Sequence, residues 1–216
     1  RKRLLLADME STIVTRELTD ELAALAGMGE RVATMTAASM RGEVDFASSL
    51  RARIALLKGQ PAALLERVKE LVDLSPGARA LVQTMKAHGA RTALVSGGFD
   101  VFTAIAAAAG GFDEHHANHL VISGGELQGE VAEPILDRLG KRAILERLAT
   151  ELAVTSAEAA AIGDGANDIP MIEAAGLGVA YRGKPRVASA ARFRLDHADL
   201  TGLLYLQGYR SEEFHA

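Results

Sequence analysis

The apolar run "LLLAD" ends at Asp8, and a second carboxylate follows at Glu10. Along an extended strand end, residues two apart point to the same side. One of the two acids can stay ionised as nucleophile or metal ligand while the other gives and takes a proton. Taken alone, the pair also reads as a solvated strand-to-loop turn. Three further stretches carry comparable chemistry. "VSGG" at 95–98 ends an apolar run in a hydroxyl and two glycines. Ser96 can donate to an anion there, and the Gly97 and Gly98 amides can approach one closely. Lys141 opens the helical pattern "GKRAILERLA". A helix start prefers anions, so a cation placed there points to a phosphate or carboxylate partner. "IGDGANDIPM" at 162–171 gathers Asp164, Asn167 and Asp168 between a strand end and a helix start. Oxygen-bearing side chains so gathered suit Mg²⁺ beside a phosphate.

These residues need rigid elements behind them. Apolar runs at 3–7, 91–96, 158–163 and 177–181 read as buried parallel strands, each followed by a turn and a helical pattern. The helical patterns cover 77–88, 100–109, 138–152, 167–175 and 184–191. Such alternation predicts a Rossmann-like, doubly wound parallel α/β sheet, whose ligands bind beyond the carboxyl ends of the strands. In the helix that Lys141 opens, Leu139, Ala143, Ile144, Leu148 and Ala149 make up much of the predicted apolar stripe. Residues 16–73 hold several helical patterns and no convincing strand, and read as a small helical cap inserted after the first strand. Residues 112–133 read as a β-hairpin flap around Gly124-Gly125. The α/β core is then 1–15 plus 74–216.

Composition narrows the function. The chain has 216 residues with 49% hydrophobic, enough for a sizeable core. Aromatic content is 4%, there is no Trp, net charge is −4 and no basic stripe stands out, which argues against nucleic acid and anionic membranes. The absence of Cys excludes a disulfide scaffold, a thiol nucleophile and a thiolate zinc site, and is compatible with a cytoplasmic location. His115 and His119 stand four apart, which makes zinc conceivable, but no helix or further ligand is evident near them. The sequence starts "RKR" without an initiator Met, directly ahead of a strand, as expected of a piece of a longer protein.

Inside the cap segment, Phe46, Leu50, Arg53 and Leu57 follow one helical face. That turns Arg53 inward, where its charge needs an anion, either a ligand or an internal ion-pair partner. Arg51 points away.

Taken in order, the four stretches resemble motifs I to IV of the haloacid dehalogenase-like (HAD) phosphotransferase superfamily: Asp8–Thr12, Ser96, Lys141 and Gly163–Asp168. "DMEST", "VSGGF" and "GDGANDIPM" are similar to the wording of the phosphoserine phosphatase family within it. "RELTDELAALAG" and "MRGEVDFASSLRARIALLKG" resemble that family's helical cap, so the likeness runs from about residue 3 to the end of the chain. The resemblance implies an Mg²⁺-dependent phosphomonoester hydrolase that converts phosphoserine to serine, the last step of serine biosynthesis, through an aspartyl phosphate on Asp8. Glu10 would be the acid and base. Ser96, Gly97, Gly98 and Lys141 would hold the phosphoryl group. Mg²⁺ would bind the Asp8 carboxylate, the Glu10 backbone carbonyl and Asp164, with Asn167 positioning substrate and Asp168 orienting Lys141 or metal-bound water. Glu17 would take the substrate ammonium, Arg53 its carboxylate, and Met40 and Phe46 would close over it. The expected partner is a small molecule, and the expected state is monomer or homodimer.

The departure is Glu10, where the family has aspartate. The proposed metal ligand there is a backbone carbonyl, so the change spares it. The carboxyl reaches roughly 1.5 Å further, a shift on the scale that can cost 10²-fold in rate. An active enzyme whose pocket accommodates the glutamate is the leading expectation. The alternatives are a slowed or non-catalytic phosphoserine-binding form, or a related phosphatase acting on another small phosphomonoester.

Overall fold

The computed structural model describes residues 1–215, and the side chain of Met40 lies outside the described residues. β1 (Leu4–Asp8) is followed by α1 (Leu18–Leu25), α2 (Gly29–Met40), α3 (Phe46–Ala55) and α4 (Leu64–Lys69). α5 (Ala78–Ala87), β2 (Arg91–Phe99), α6 (Asp100–Gly110) and β3 (Glu114–Asn118) come next. β4 (Leu120–Ser123) and β5 (Glu126–Val131) pair antiparallel across Gly124-Gly125, both at positive φ, the conformation a two-residue hairpin turn requires. The chain ends with α7 (Arg138–Glu151), β6 (Ala159–Gly163), α8 (Ile169–Ala174), β7 (Leu177–Tyr181), α9 (Pro185–Ala190), β8 (Phe193–Leu195) and α10 (Gly202–Leu206).

Six strands form one sheet in the order β3-β2-β1-β6-β7-β8, and every pair is parallel. This is the doubly wound α/β architecture that the strand-helix alternation predicts. β1 lies at its centre and is buried on both faces. Leu5 and Ala7 pack into one core cluster, Leu4 and Leu6 into the other, as the period of two demands. The chain leaves β1 toward one side of the sheet and takes up β6 on the other. The carboxyl ends of β1 and β6 therefore flank a topological switch point, where a crevice opens.

Two strands differ from the sequence expectation. β3 carries "EHHAN" and β8 carries "FRL", edge strands too polar or too short to show an apolar run. The apolar stripe of α7 is also corrected. Leu139 is 60% exposed and Ala143 faces solvent, while Lys141, Leu145, Leu148 and Ala149 are buried. Lys141 thus sits on the inward face, not on the solvent side where a lone lysine at a helix start is ordinarily found.

The three histidines around β3 do not converge. His115 Nδ1 lies 2.9 Å from Thr103 Oγ1, His116 Nε2 2.9 Å from Glu114 Oε2, and His119 Nδ1 2.8 Å from Asp100 Oδ2. Among the described residues, the group that could share a metal ion is Asp8, Asp164 and Asp168, with no histidine in it.

Candidate active site

β1 ends in Asp8, β6 runs into Asp164, and the inward face of α7 brings Lys141 against Asp8 and Asp168. Lys141 Nζ lies 2.5 Å from Asp8 Oδ1 and 2.7 Å from Asp168 Oδ1. Lys141 and Asp168 are fully buried and Asp8 is 4% exposed. Asp168 Oδ2 accepts the backbone N–H groups of Asp164, at 3.2 Å, and Gly165, at 3.0 Å. Both of its oxygens are therefore engaged, one on Lys141 and one on the loop after β6. Gly163 makes this possible, because a Cβ there would fall 2.5 Å from Asp168 Cγ.

The electrostatics call for positive charge. Burial, then the neighbouring Asp168 carboxylate, pushes Asp8 well above the usual carboxylate range, against the pull of Lys141. Burial also pushes Asp164 up to about 6, against Lys184. For Lys141, burial works to lower the ammonium, but Asp168 and Asp8 together hold it above its ordinary value. Carboxylate oxygens of Asp8, Asp164 and Asp168 lie within 4.8 Å of one another. Asp164 Oδ1 is buried with no hydrogen-bond partner among the described residues. A buried carboxylate oxygen without a partner, beside two other carboxylates, suits a divalent cation.

Ser96 and the two glycines line the end of β2. Gly98 N–H donates to Ser96 Oγ at 2.9 Å, which leaves the hydroxyl proton free for an incoming oxygen. A Cβ on Gly97 would lie 2.5 Å from Phe46 Cζ, and one on Gly98 would lie 2.8 Å from Glu10 Oε2. Both glycines are therefore places where other side chains approach the backbone. Asn118, from β3, fixes this strand end by donating to the Gly97 carbonyl at 2.9 Å and accepting Leu136 N–H at 2.6 Å.

Asp8, Glu10, Glu17, Phe46, Arg53, Gly97 and Asn167 line one pocket with Thr19, Thr36 and Ser39. Glu10 Oε1 accepts Thr19 N–H at 3.1 Å. Burial raises the Glu10 carboxyl, opposed by that amide and by Arg53. Glu17 precedes α1 and accepts the Ser11 hydroxyl at 2.7 Å. Burial and then the Glu10 charge push it up to about 7, against Lys184. Arg53 is 6% exposed and donates through Nη1 to Thr36 Oγ1 at 2.9 Å, while its Nε is buried without a partner among the described residues. Asn167 Oδ1 is likewise buried without a partner. The sequence-derived site residues other than Met40 thus converge, with Ser96, Gly98, Lys141, Asp164 and Asp168 at the strand ends around Asp8.

Sequence reasoning missed Lys184. It stands just before Pro185 at the start of α9, donates to Asp164 Oδ2 at 2.6 Å and lies 3.9 Å from Glu17 Oε1. "GKP" after a buried strand was its only local signal. Asn118, Thr36 and Asp20 were missed as well, since nothing local marks them apart from ordinary surface polar residues.

A parallel sheet with an aspartate at the switch point, a buried lysine beside it and an acidic loop opposite defines a haloacid dehalogenase-like hydrolase, and the family model of that description matches residues 2–176. Phosphoserine phosphatase of Streptomyces coelicolor is 44% identical over 215 residues, 100% of this chain and 52% of that protein. Phosphoserine phosphatase of Lactococcus lactis is 39% identical over 203 residues, 94% of each. A solved structure described as a phospho-aspartyl intermediate analogue of phosphoserine phosphatase superposes with a TM-score of 0.91 at 35% identity, covering 95% of this chain and 99% of that one. The chain belongs to the phosphoserine phosphatase family. It spans about half the length of the Streptomyces relative. Among the described residues no helix is long and apolar enough to cross a membrane.

Proposed function

We propose that this chain hydrolyses O-phospho-L-serine to L-serine and inorganic phosphate, with Asp8 as nucleophile and Mg²⁺ as the divalent cation. The observation that carries the reading is the charge layout of one cavity. Asp8, Glu17 and Arg53 all line it, the last two a carboxyl and a guanidinium. A phosphate ester of an amino acid presents an ammonium and a carboxylate, which Glu17 and Arg53 match in sign, and a phosphoryl group, whose charge Lys141 beside Asp8 and a divalent cation would meet.

Asp8, the Glu10 backbone carbonyl and Asp164 would hold the cation, which when bound neutralises charge between the anionic nucleophile and the phosphoryl oxygens. Ser96 Oγ, held by the Gly98 amide, together with the Gly97 amide and Lys141 would bind those oxygens, and the Gly98 amide would join them if it turned from Ser96 Oγ. An Asp8 carboxylate oxygen attacks phosphorus as the bond from phosphorus to the serine oxygen breaks. The Glu10 carboxyl gives its proton to that departing oxygen. Glu10, now a carboxylate, takes a proton from water as the water oxygen attacks phosphorus and the bond to Asp8 breaks. The upward push of burial on Glu10 favours the protonated form that the first step uses. Asp168 keeps Lys141 in place through its 2.7 Å contact.

Helices α1 to α4 act as the cap that excludes water, with Phe46 closing over the substrate against Gly97. Every group named comes from one polypeptide, so the reading requires no partner subunit, and it assigns the reaction to the cytoplasm. A solved structure described as a substrate-bound phosphoserine phosphatase complex, with a TM-score of 0.91 and 35% identity over 95% of this chain and 98% of that one, supports the substrate class. The test is substrate discrimination. L-phosphoserine should be hydrolysed in preference to phosphoethanolamine, which lacks the carboxylate, and Arg53→Ala should remove the preference. Equal use of both esters by the unmodified chain would overturn it.

A further inference from the structure

Arg53 is held by a chain of two hydrogen bonds that crosses all three of the first cap helices. Arg53 on α3 donates through Nη1 to Thr36 Oγ1 on α2 at 2.9 Å. Thr36 Oγ1 lies 2.6 Å from Asp20 Oδ1 on α1. The direction of both bonds is fixed by chemistry. A guanidinium has donors only and a carboxylate accepts. The hydroxyl must therefore accept from Arg53 and donate to Asp20.

This arrangement differs from an ordinary ion pair. A carboxylate placed directly on the guanidinium would use its planar fork and compensate its charge. Here Asp20 stands one hydroxyl away, so its charge orients Arg53 while the fork stays available. Arg53 is 6% exposed and Thr36 7%, and both line the cavity that Asp8 lines. Arg53 Nε is buried and has no hydrogen-bond partner among the described residues. A buried donor without a partner is costly, and a ligand oxygen would remove that cost.

We propose that Thr36 and Asp20 are positioning residues that aim the Arg53 fork at a substrate carboxylate, and so set the preference for carboxylate-bearing phosphate esters. The inference rests on the reading of Arg53 given above. It assigns neither residue a part in the phosphoryl chemistry, because among the described residues neither side chain hydrogen-bonds to Asp8, Glu10 or Lys141.

The experiment compares L-phosphoserine with phosphoethanolamine in the unmodified chain and in Thr36→Val, Thr36→Ser, Asp20→Asn and Arg53→Ala. Thr36→Val keeps the shape and removes the hydroxyl. It should raise KM for phosphoserine about tenfold, the scale of one hydrogen bond to a charged group, with kcat within about twofold. The rise in KM for phosphoethanolamine should be several-fold smaller. Thr36→Ser restores the hydroxyl and should restore KM, and Asp20→Asn should fall between the two. If Arg53→Ala loses the preference but Thr36→Val keeps it, the positioning chain is overturned and the reading of Arg53 stands. If Arg53→Ala keeps the preference, that reading fails and the positioning chain fails with it. Equal loss on both esters in Thr36→Val would mean general damage to the cap and would also overturn the proposal. Should any chain bind without turnover, the same comparison is made on Kd by calorimetry.

Discussion

The Glu10 carboxylate caps the first turn of α1: its Oε1 accepts the Thr19 backbone N–H at 3.1 Å. An acid two residues from the nucleophile is thereby tied to the start of the cap. An anion at a helix N-terminus is favourable, and the amide is one of the orphan donors every helix start leaves. The extra methylene of glutamate has a use here. An aspartate would end roughly 1.5 Å short of its position, the length of one carbon–carbon bond.

Glu10→Gln keeps the length and the amide contact but cannot exchange a proton. Its kcat on phosphoserine should fall by about 10²-fold or more, with binding retained. Glu10→Asp keeps the acid and should remain active, with a lower melting temperature from the lost cap, by about 1 kcal/mol of stability. Steady-state kinetics and a thermal melt of each variant check both statements. Unchanged kcat in Glu10→Gln would remove Glu10 from the chemistry.

Gly98→Ala tests the packing under that acid. The new methyl would sit 2.8 Å from Glu10 Oε2 and 3.1 Å from Ser96 Oγ. A displacement of about 1 Å in either group should lower kcat by about 10²-fold while far-UV circular dichroism stays the same.

Lys184 occupies Asp164 Oδ2 at 2.6 Å, so it competes with a cation for that carboxylate. Lys184→Met should bind Mg²⁺ about fivefold more tightly by calorimetry, the scale of a partly exposed ion pair worth about 1 kcal/mol. Weaker binding would show instead that Lys184 builds the site.

The two ends of the described chain are joined by Arg1 Nη2, 2.6 Å from Glu213 Oε1. The Arg210 backbone amide, with the Arg1 guanidinium, holds the Glu213 carboxyl down at about 2. A depressed carboxyl stabilises the fold above its unfolded value of about 4.3 and loses that contribution as pH falls through about 2. Glu213→Gln should therefore lower the melting temperature at neutral pH, and the difference from the unmodified chain should shrink on acidification below about pH 4.

The central sheet was legible in the sequence because β1, β2, β6 and β7 are apolar runs cut off by a polar residue or a glycine. Their polar ends also gave the site, since Asp8, Ser96 and Asp164 each close such a run. Arg53 could be read as inward from the stripe of Leu50 and Leu57. Lys141 could not be placed by its helix alone: counting apolar residues alone put Leu139 on the buried stripe and left out the lysine. Lys141 is held on the buried face of α7 by two carboxylates from other elements, which no local pattern contains. The same reason hid Thr36, Asp20, Asn118 and Lys184, each an ordinary polar residue until a distant partner is brought within about 3 Å. β3 and β8 escaped because edge strands need little apolar surface.

The most direct test of the account is phosphate release from L-phosphoserine with Mg²⁺ by the unmodified chain beside Asp8→Asn. The account predicts turnover by the unmodified chain and its loss in Asp8→Asn, with a phosphorylated Asp8 recovered from the unmodified chain after rapid acid quench. Turnover that survives in Asp8→Asn, or phosphoserine left intact by the unmodified chain, would contradict it.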